Sequence, residues 1–475
     1  MDLTYTEEEQ DFRARLRVWL GKTLPELPAK PSPDDWPGRR AYDAGWQRRL
    51  YDAGYAGLHW PVDAGGRGAT PTQHLIFLEE TERAGAPYVG ANFVGLLHAG
   101  PTIAAEGTAA QRARWLPPVL RGDEVWCQGF SEPGAGSDLA SLRTRAVRDG
   151  DDYVITGSKI WTSHAEVADW CELLVRTDPI SEAVPKHRGI SWLAMPMDAP
   201  GVTVRPLRTL AGSTEFAEMF LDEVRVPVAN RVGAENDGWR VTMVTLSFER
   251  GTAFVGEVVA CRRTLGELAR TAKANGRWDD PVLRRRLGRL YGEFGALWRL
   301  TQWNVSESER TGGVPGIGGS VFKLAYSHAR QELYDTAAEV LGADSLVLDE
   351  EWVLDRLSSL SYTIAAGTSQ IQQNIVAERI LGLPKGRGLP LDRGAAGPAG
   401  RRTGPAGGPV RARGAAGLGG LGRSPGPGAV AGARRGRVLR AAAPGAGRRG
   451  RARAAGGGPR LRGGRAGAAA GAAGG

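Results

Sequence analysis

Along this chain the spacing of apolar residues changes from a helical repeat to an alternating one and back again. That order narrows the fold more than any single motif does. From residue 1 to 123 the signals are helical: Thr6 and Glu9 stand three apart as a capping box, and Phe12, Leu16, Trp19 and Leu20 follow on one helical face. Thr108 and Gln111 repeat the cap ahead of a short helix, which Pro117 and Pro118 are expected to end. From 124 to 233 short β-type runs take over, at 153–156, 172–175, 190–193 and 202–204, with turn residues such as Asp151-Asp152 and Pro200-Gly201 between them. From 234 to 385 the repeat is helical again. Leu283, Leu287, Leu290, Phe294 and Leu297 form a stripe behind the start signal Asp280-Pro281, as a bundle core requires. The pattern predicts an α+β chain, mostly helical, in which a compact antiparallel barrel or sandwich separates two helical domains.

Charge invites a nucleic-acid reading, and its distribution removes it. The chain carries a formal +9, but residues 389–475 hold 17 arginines and a single acid, Asp392, so the first 388 residues are net acidic at −7. From about residue 386 Gly, Ala, Arg and Pro dominate. Such a segment buries too little apolar surface to offset ordering its backbone, so the low-complexity stretch 386–475 is expected to be a disordered tail. Arginine without lysine is also what GC-rich DNA yields when read out of frame, and both origins stay open. Cys127, Cys171 and Cys261 are far apart and form no metal or redox spacing, so they are expected to be reduced core thiols of a cytoplasmic protein. The first residues show no basic and apolar leader, and no run reaches the ~20 apolar residues of a membrane helix. Two further signals mislead. Ser320 and Lys323 spell S-x-x-K, here expected to be only a helix cap after Gly318-Gly319, and Gly134-Ala135-Gly136 lacks the third glycine of a dinucleotide loop. The six histidines are isolated, and no metal site is expected.

Two segments carry a specific resemblance. GFSEPGAGSD over 129–138 and GSKIWTS over 157–163 resemble the S/T-E-P-G-A-G-S-D loop and the G-x-K-x-W-I-T strand of acyl-CoA dehydrogenases. GTSQIQQNIVAERILG over 367–382 resembles the family's G-T-S-x-I-Q helix. The resemblance spans residues 1 to about 385 and implies an N-terminal helical domain, a central β-barrel and a C-terminal four-helix bundle. It also implies FAD, a cofactor that carries the redox chemistry while the protein supplies position and polarity. On the matching positions Gln128, Phe130 and Ser131 would lie along the flavin pyrimidine. Trp161 and Ser163 would pack and bond at its reactive edge, and Thr368 and Gln370 would contact the adenosine half. Ser137 would reach the pantetheine or the pyrophosphate.

The implied reaction is α,β-dehydrogenation of an acyl-CoA: a carboxylate takes the α-proton and the β-hydride passes to flavin N5. The α-proton is weakly acidic, so the thioester carbonyl must be polarised as the enolate develops. In the family a backbone N–H just before the G-T-S-x-I-Q glycine does this, and here that residue is Ala366. Many members carry the catalytic Glu at that place. Ala366 keeps the N–H and offers no base. Isovaleryl- and long-chain-type members place the base in a Glu-Arg pair on the helix after the barrel, and Glu249-Arg250 matches it. Glu249 is therefore the expected base, with Arg250 facing the acyl-CoA or steadying the helix; on spacing alone, a Glu beside an Arg on a helix is an ordinary solvated pair.

A second departure concerns partners. Homotetrameric members carry R-x-T/Q-F-G, whose Arg reaches a neighbour's flavin pyrophosphate. Residues 270–278 here read RTAKANGRW, and the usual Q-x-x-G-G reads Glu339-Val-Leu-Gly-Ala343. A glutamate beside a pyrophosphate repels it. The losses resemble the catalytic subunit of heteromeric α2β2 dehydrogenases of actinobacteria, some acting on steroid side-chain thioesters. A second dehydrogenase subunit and an electron-transfer flavoprotein are the implied partners. The alternatives are a non-catalytic subunit and an oxygen-using acyl-CoA oxidase-like enzyme.

Overall fold

The computed structural model describes residues 4–181, 184–252, 255–310, 318–347 and 351–384. The segment 386–475, expected to be a disordered tail, lies outside them.

The N-terminal helices are α1 (Glu7–Thr23), α2 (Trp36–Asp52), α3 (Pro71–Arg83), α4 (Gly100–Glu106) and α5 (Ala109–Arg121). The sequence signals for their starts are realised atom by atom. Thr6 Oγ1 accepts from Glu9 N while Glu9 Oε2 accepts from Thr6 N, and Thr108 and Gln111 make the same exchange. One stop signal fails. Pro117 and Pro118 sit inside α5, which continues to Arg121 and ends at left-handed Gly122. Two prolines remove donors from that helix, but Trp115, Leu116, Val119 and Leu120 all bury their side chains on one face, and packing outweighs propensity.

Eight strands follow: β1 (Trp126–Gly129), β2 (Arg145–Asp149), β3 (Asp152–Ser163), β4 (Trp170–Arg176), β5 (Ile190–Pro196), β6 (Val202–Leu207), β7 (Phe216–Pro227) and β8 (Arg231–Val232). They form one sheet in the order β6-β7-β3-β2-β4-β5-β8, with β1 added to β4. Two expectations are corrected here. The sheet is mixed rather than antiparallel, because β1 and β2 both run parallel to β4. It is also open rather than a closed barrel: among the described residues β6 pairs only with β7, and β8 only with β5. Pro206 in β6 has no N–H to donate and suits an edge, and the two residues of β8 make too short a ladder to carry the sheet further. Between β3 and β7 the register shifts twice, the second time between Lys159 and Thr162. That bulge turns Trp161 to φ 62°, left-handed for a bulky residue.

The C-terminal helices are α6 (Gly238–Thr252), α7 (Val255–Ala274), α8 (Pro281–Arg310), α9 (Gly318–Leu341), α10 (Glu351–Ser359) and α11 (Ser369–Ile375). Asp280 caps α8 through the N–H groups of Val282 and Leu283, and the expected stripe from Leu283 to Leu297 is buried. The long helices α7, α8 and α9 pack on one another, and α3 crosses over from the N-terminal domain to lie against α7 and α8. Leu75 of α3 belongs to the same core as Phe294, Tyr326 and Leu333. Ser320 is not a cap; it lies inside the first turn of α9 and is buried. All three cysteines are free and buried.

Candidate functional site

The loop expected to face a flavin begins where β1 leaves the sheet, and a buried ion pair holds it. Glu132 and Ala135 each accept the other's N–H at 3.0 Å, closing a tight turn. The Glu132 carboxylate then accepts from Arg143 N at 2.7 Å, Thr144 N at 2.8 Å and Lys159 Nζ at 2.9 Å. Lys159, on β3, is wholly buried and donates also to the Phe130 carbonyl at 3.1 Å. Burial raises the Glu132 carboxyl, but the ammonium and the N–H donors outweigh it and hold the group below its ordinary value. A third tie, from Ile160 N to the Ser131 carbonyl at 3.0 Å, fastens the loop to β3.

On this frame Phe130 is buried and Ser131 half-buried, and Ser137 is exposed. Gly134 and Gly136 have open space where a side chain would stand, so the backbone N–H groups of the turn can come close to a ligand. Asp138 closes the loop by pairing with Lys186. Next to Ile160 on β3, Trp161 is 57% exposed and its ring meets Phe216 edge-on at 5.9 Å. Ser163 pairs with Phe216 across the ladder, and burial pulls the next residue, His164, down to about 4, leaving its ring neutral. Gln128 donates its amide nitrogen to buried Glu172 at 2.8 Å, with His98 Nδ1 3.2 Å from the same nitrogen. His98 belongs to a π-helical turn, Gly95–Ala99, that leads into α4. Apolar faces, backbone donors and an exposed aromatic wall fit an isoalloxazine, and Gln128, Phe130, Ser131, Trp161 and Ser163 would hold it.

A second group gathers on the segment before α11. Ala366 has φ 51° and Gly367 φ 84°, so both are left-handed, and the Ala366 N–H meets no acceptor among the described residues. Its carbonyl accepts from Gln372 Nε2 at 3.0 Å. Thr368 caps α11 through Ile371 N, and Gln370 is exposed. Upstream, the Tyr362 hydroxyl donates to Glu257 Oε1 at 2.6 Å, while Tyr326 and Arg330 bond the other oxygen of that carboxylate. Burial and the charge of Glu257 push both phenols well above the ordinary range, so both remain donors.

Glu249 and Arg250 have their backbone in α6, and their side chains lie outside the described residues. Hydrogen bonds thus bring Phe130 and Ser131 together with the strand that ends in Trp161 and Ser163. Among the described residues none links that group to Ala366, Thr368 or Gln370. Sequence reasoning did not single out Lys159, Glu132, Glu172 or Glu257, which hold expected site residues or their neighbours in place. A signal existed for the first two, which stand inside the quoted motifs: a lysine on a strand whose inward neighbours are Tyr153 and Ile155 needs a buried partner.

Three family models match in succession: Acyl-CoA dehydrogenase, N-terminal domain, over residues 6–123; middle domain, over 127–224; and C-terminal domain, over 236–381. Acyl-CoA dehydrogenase IpdE1 of Mycobacterium tuberculosis is 39% identical over 389 residues, 80% of this chain and 99% of its own length. Among solved structures, the Tcur3481-Tcur3483 steroid ACAD superposes with a TM-score of 0.70 at 32% identity, covering 81% of this chain and all of that one (100%). The ChsE4-ChsE5 complex from Mycobacterium tuberculosis superposes with a TM-score of 0.68 at 33% identity, with coverage of 81% and 100%.

Proposed function

This chain belongs to the acyl-CoA dehydrogenase family and is an oxidoreductase, and we propose that it converts an acyl-CoA to the 2-enoyl-CoA with Glu249 as the base. The observation that carries the reading is the combination of residues at positions 366 and 249 of the sequence. The usual place of the base holds a residue that offers only an N–H, and the alternative place holds a carboxylate. Glu249 removes the α-proton. The Ala366 N–H, free of other acceptors among the described residues, bonds the thioester carbonyl and stabilises the enolate as it forms. FAD, when bound, supplies the hydride acceptor. Arg250 would face the CoA.

The test is anaerobic titration of the holoprotein with acyl-CoA thioesters, both straight-chain and sterol-derived. Bleaching of the flavin, with a product two mass units lighter, is the expected result. A flavin that stays oxidised with every thioester removes the proposal.

We propose further that the flavin site is completed by a second dehydrogenase subunit, as α2β2, and that an electron-transfer flavoprotein takes the electrons. Two solved relatives are named as two-protein assemblies. In this chain Glu339, standing where the glutamine of Q-x-x-G-G would be, is engaged by Arg286, and Arg277 donates to its carbonyl at 3.1 Å. Both contacts tie residue 339 to arginines of its own chain. The purified chain alone is expected to retain well under half of one flavin, rising to about one when its partner subunit is co-expressed. Stoichiometric flavin in the isolated chain would overturn the heteromer. No described helix is long and apolar enough to cross a membrane.

A further inference from the structure

Lys323 stood in the sequence as part of a misleading S-x-x-K. In α9 it is 4% exposed, and no carboxylate meets it among the described residues. Its Nζ instead donates to two carbonyl oxygens, Tyr362 at 2.6 Å and Gly367 at 2.9 Å. Those carbonyls bracket Ala366. Ser327, one turn further along α9, has its hydroxyl within reach of the same Tyr362 carbonyl at 2.8 Å and of the Lys323 carbonyl at 2.7 Å, sharing one proton between them. The far end of Tyr362 is fixed independently by Glu257. Burial without a counter-charge pulls the Lys323 ammonium down to about 8. A leucine or methionine would pack this position without that penalty, so the ammonium serves something other than packing.

The segment it holds is not one that would keep its shape unaided. Ala366 carries a Cβ and sits in the left-handed region, where only surrounding contacts can keep it. The two carbonyls on Lys323 fix the chain on both sides of that residue. They therefore fix the direction of the Ala366 N–H, which, like the neighbouring Gly367 N–H, has no acceptor among the described residues.

We propose that Lys323 is a positioning residue for the dehydrogenation, clamping the 362–367 segment so that the Ala366 N–H is aimed at the thioester carbonyl. The inference rests on the function proposed above, and its test separates the two. In the flavin-loaded complex, Lys323→Met keeps the aliphatic stem and deletes the donors. Flavin content is expected to hold and KM to change less than about threefold, while kcat falls about ten- to a hundredfold, part of what losing an oxyanion donor outright costs. Two readouts report the aim of the N–H rather than general integrity. The carbonyl stretch of a bound 2-enoyl-CoA labelled with 13C at the thioester should move toward its value in water. Amide exchange at residues 362–368 should accelerate about tenfold or more. A folded Lys323→Met protein with unchanged kcat, carbonyl frequency and exchange overturns the clamp. If the wild-type complex is reduced by no acyl-CoA, the functional proposal fails, and the exchange measurement alone decides whether Lys323 holds the loop. Should Lys323→Met not fold, Ser327→Ala loosens the same tether, with a smaller shift of all three readouts expected and no shift overturning the inference.

Discussion

Glu249→Gln in the flavin-loaded complex is expected to slow flavin reduction by acyl-CoA at least about a thousandfold, with flavin content and thioester affinity nearly unchanged. Glutamine keeps the shape and the hydrogen-bonding reach of glutamate and cannot take a proton. The loss therefore isolates proton abstraction from binding. Rapid-mixing absorbance at the flavin band measures the rate, and equilibrium titration of the oxidised protein measures the affinity. The Ala366 position offers an internal check. Many relatives by resemblance carry their base there, and Ala366 already occupies the left-handed region with a Cβ, so Ala366→Glu adds little backbone strain. The double variant Glu249→Gln/Ala366→Glu is expected to recover part of the lost rate, on the order of tenfold or more. Unchanged turnover in the single variant would remove Glu249 from the chemistry. It would also favour the reading in which this chain is a non-catalytic subunit.

What the sequence made legible was local. A capping box needs residues three apart, and Thr6 with Glu9 or Thr108 with Gln111 announced helix starts that the structure repeats in its hydrogen bonds. Short β-type runs marked the positions of β3, β4, β5 and β6, alternating in β6 and largely apolar in β4 and β5, because such a run is a property of one strand. What it hid was pairing. Whether β6 closes onto β8 depends on strands about 30 residues apart, and the pattern of either strand says nothing of it. The two buried lysines were hidden for the same reason. A charged residue is expected outside unless its partner is known, and the partners lie 27 residues away for Lys159 and 44 for Lys323 on Gly367. Pro117 and Pro118 misled in the opposite sense, since a local stop signal was overruled by a buried face. The site letters came from resemblance to a family. The physics that holds those letters in place came only from three dimensions.

Lys159→Met is expected to be the most destabilising single change around the 129–138 loop, the proposed flavin contact. It removes one partner of a pair whose side chains are 0% and 9% exposed, and leaves the Glu132 carboxylate buried against two N–H donors alone. Breaking a buried pair from one side costs about 3–5 kcal/mol, and in a domain of this size that is a fall in Tm of roughly 6–15 °C. Flavin should dissociate more readily as well, because the same ammonium holds the Phe130 carbonyl at the root of the loop. The dependence on pH distinguishes this cause from poor packing by methionine. In the wild-type protein the Glu132 pKa is depressed in the folded state, so its contribution is complete above the ordinary carboxylate value of 4.5 and is lost as pH falls through the lowered one. In the variant, burial is opposed only by the remaining hydrogen bonds from Arg143 and Thr144, and the folded pKa moves up relative to wild type. The penalty is then full at neutral pH and is relieved on acidification, as the carboxyl takes up a proton. The gap in stability between the two proteins should be widest near pH 7 and narrow toward pH 4, measured by denaturant unfolding across that range. Adding Glu132→Gln to Lys159→Met removes the stranded charge and should recover about 2 kcal/mol, with the gap to wild type no longer widening at neutral pH. A gap that is constant with pH and untouched by the second substitution would mean that Lys159 matters for its volume and not for its charge.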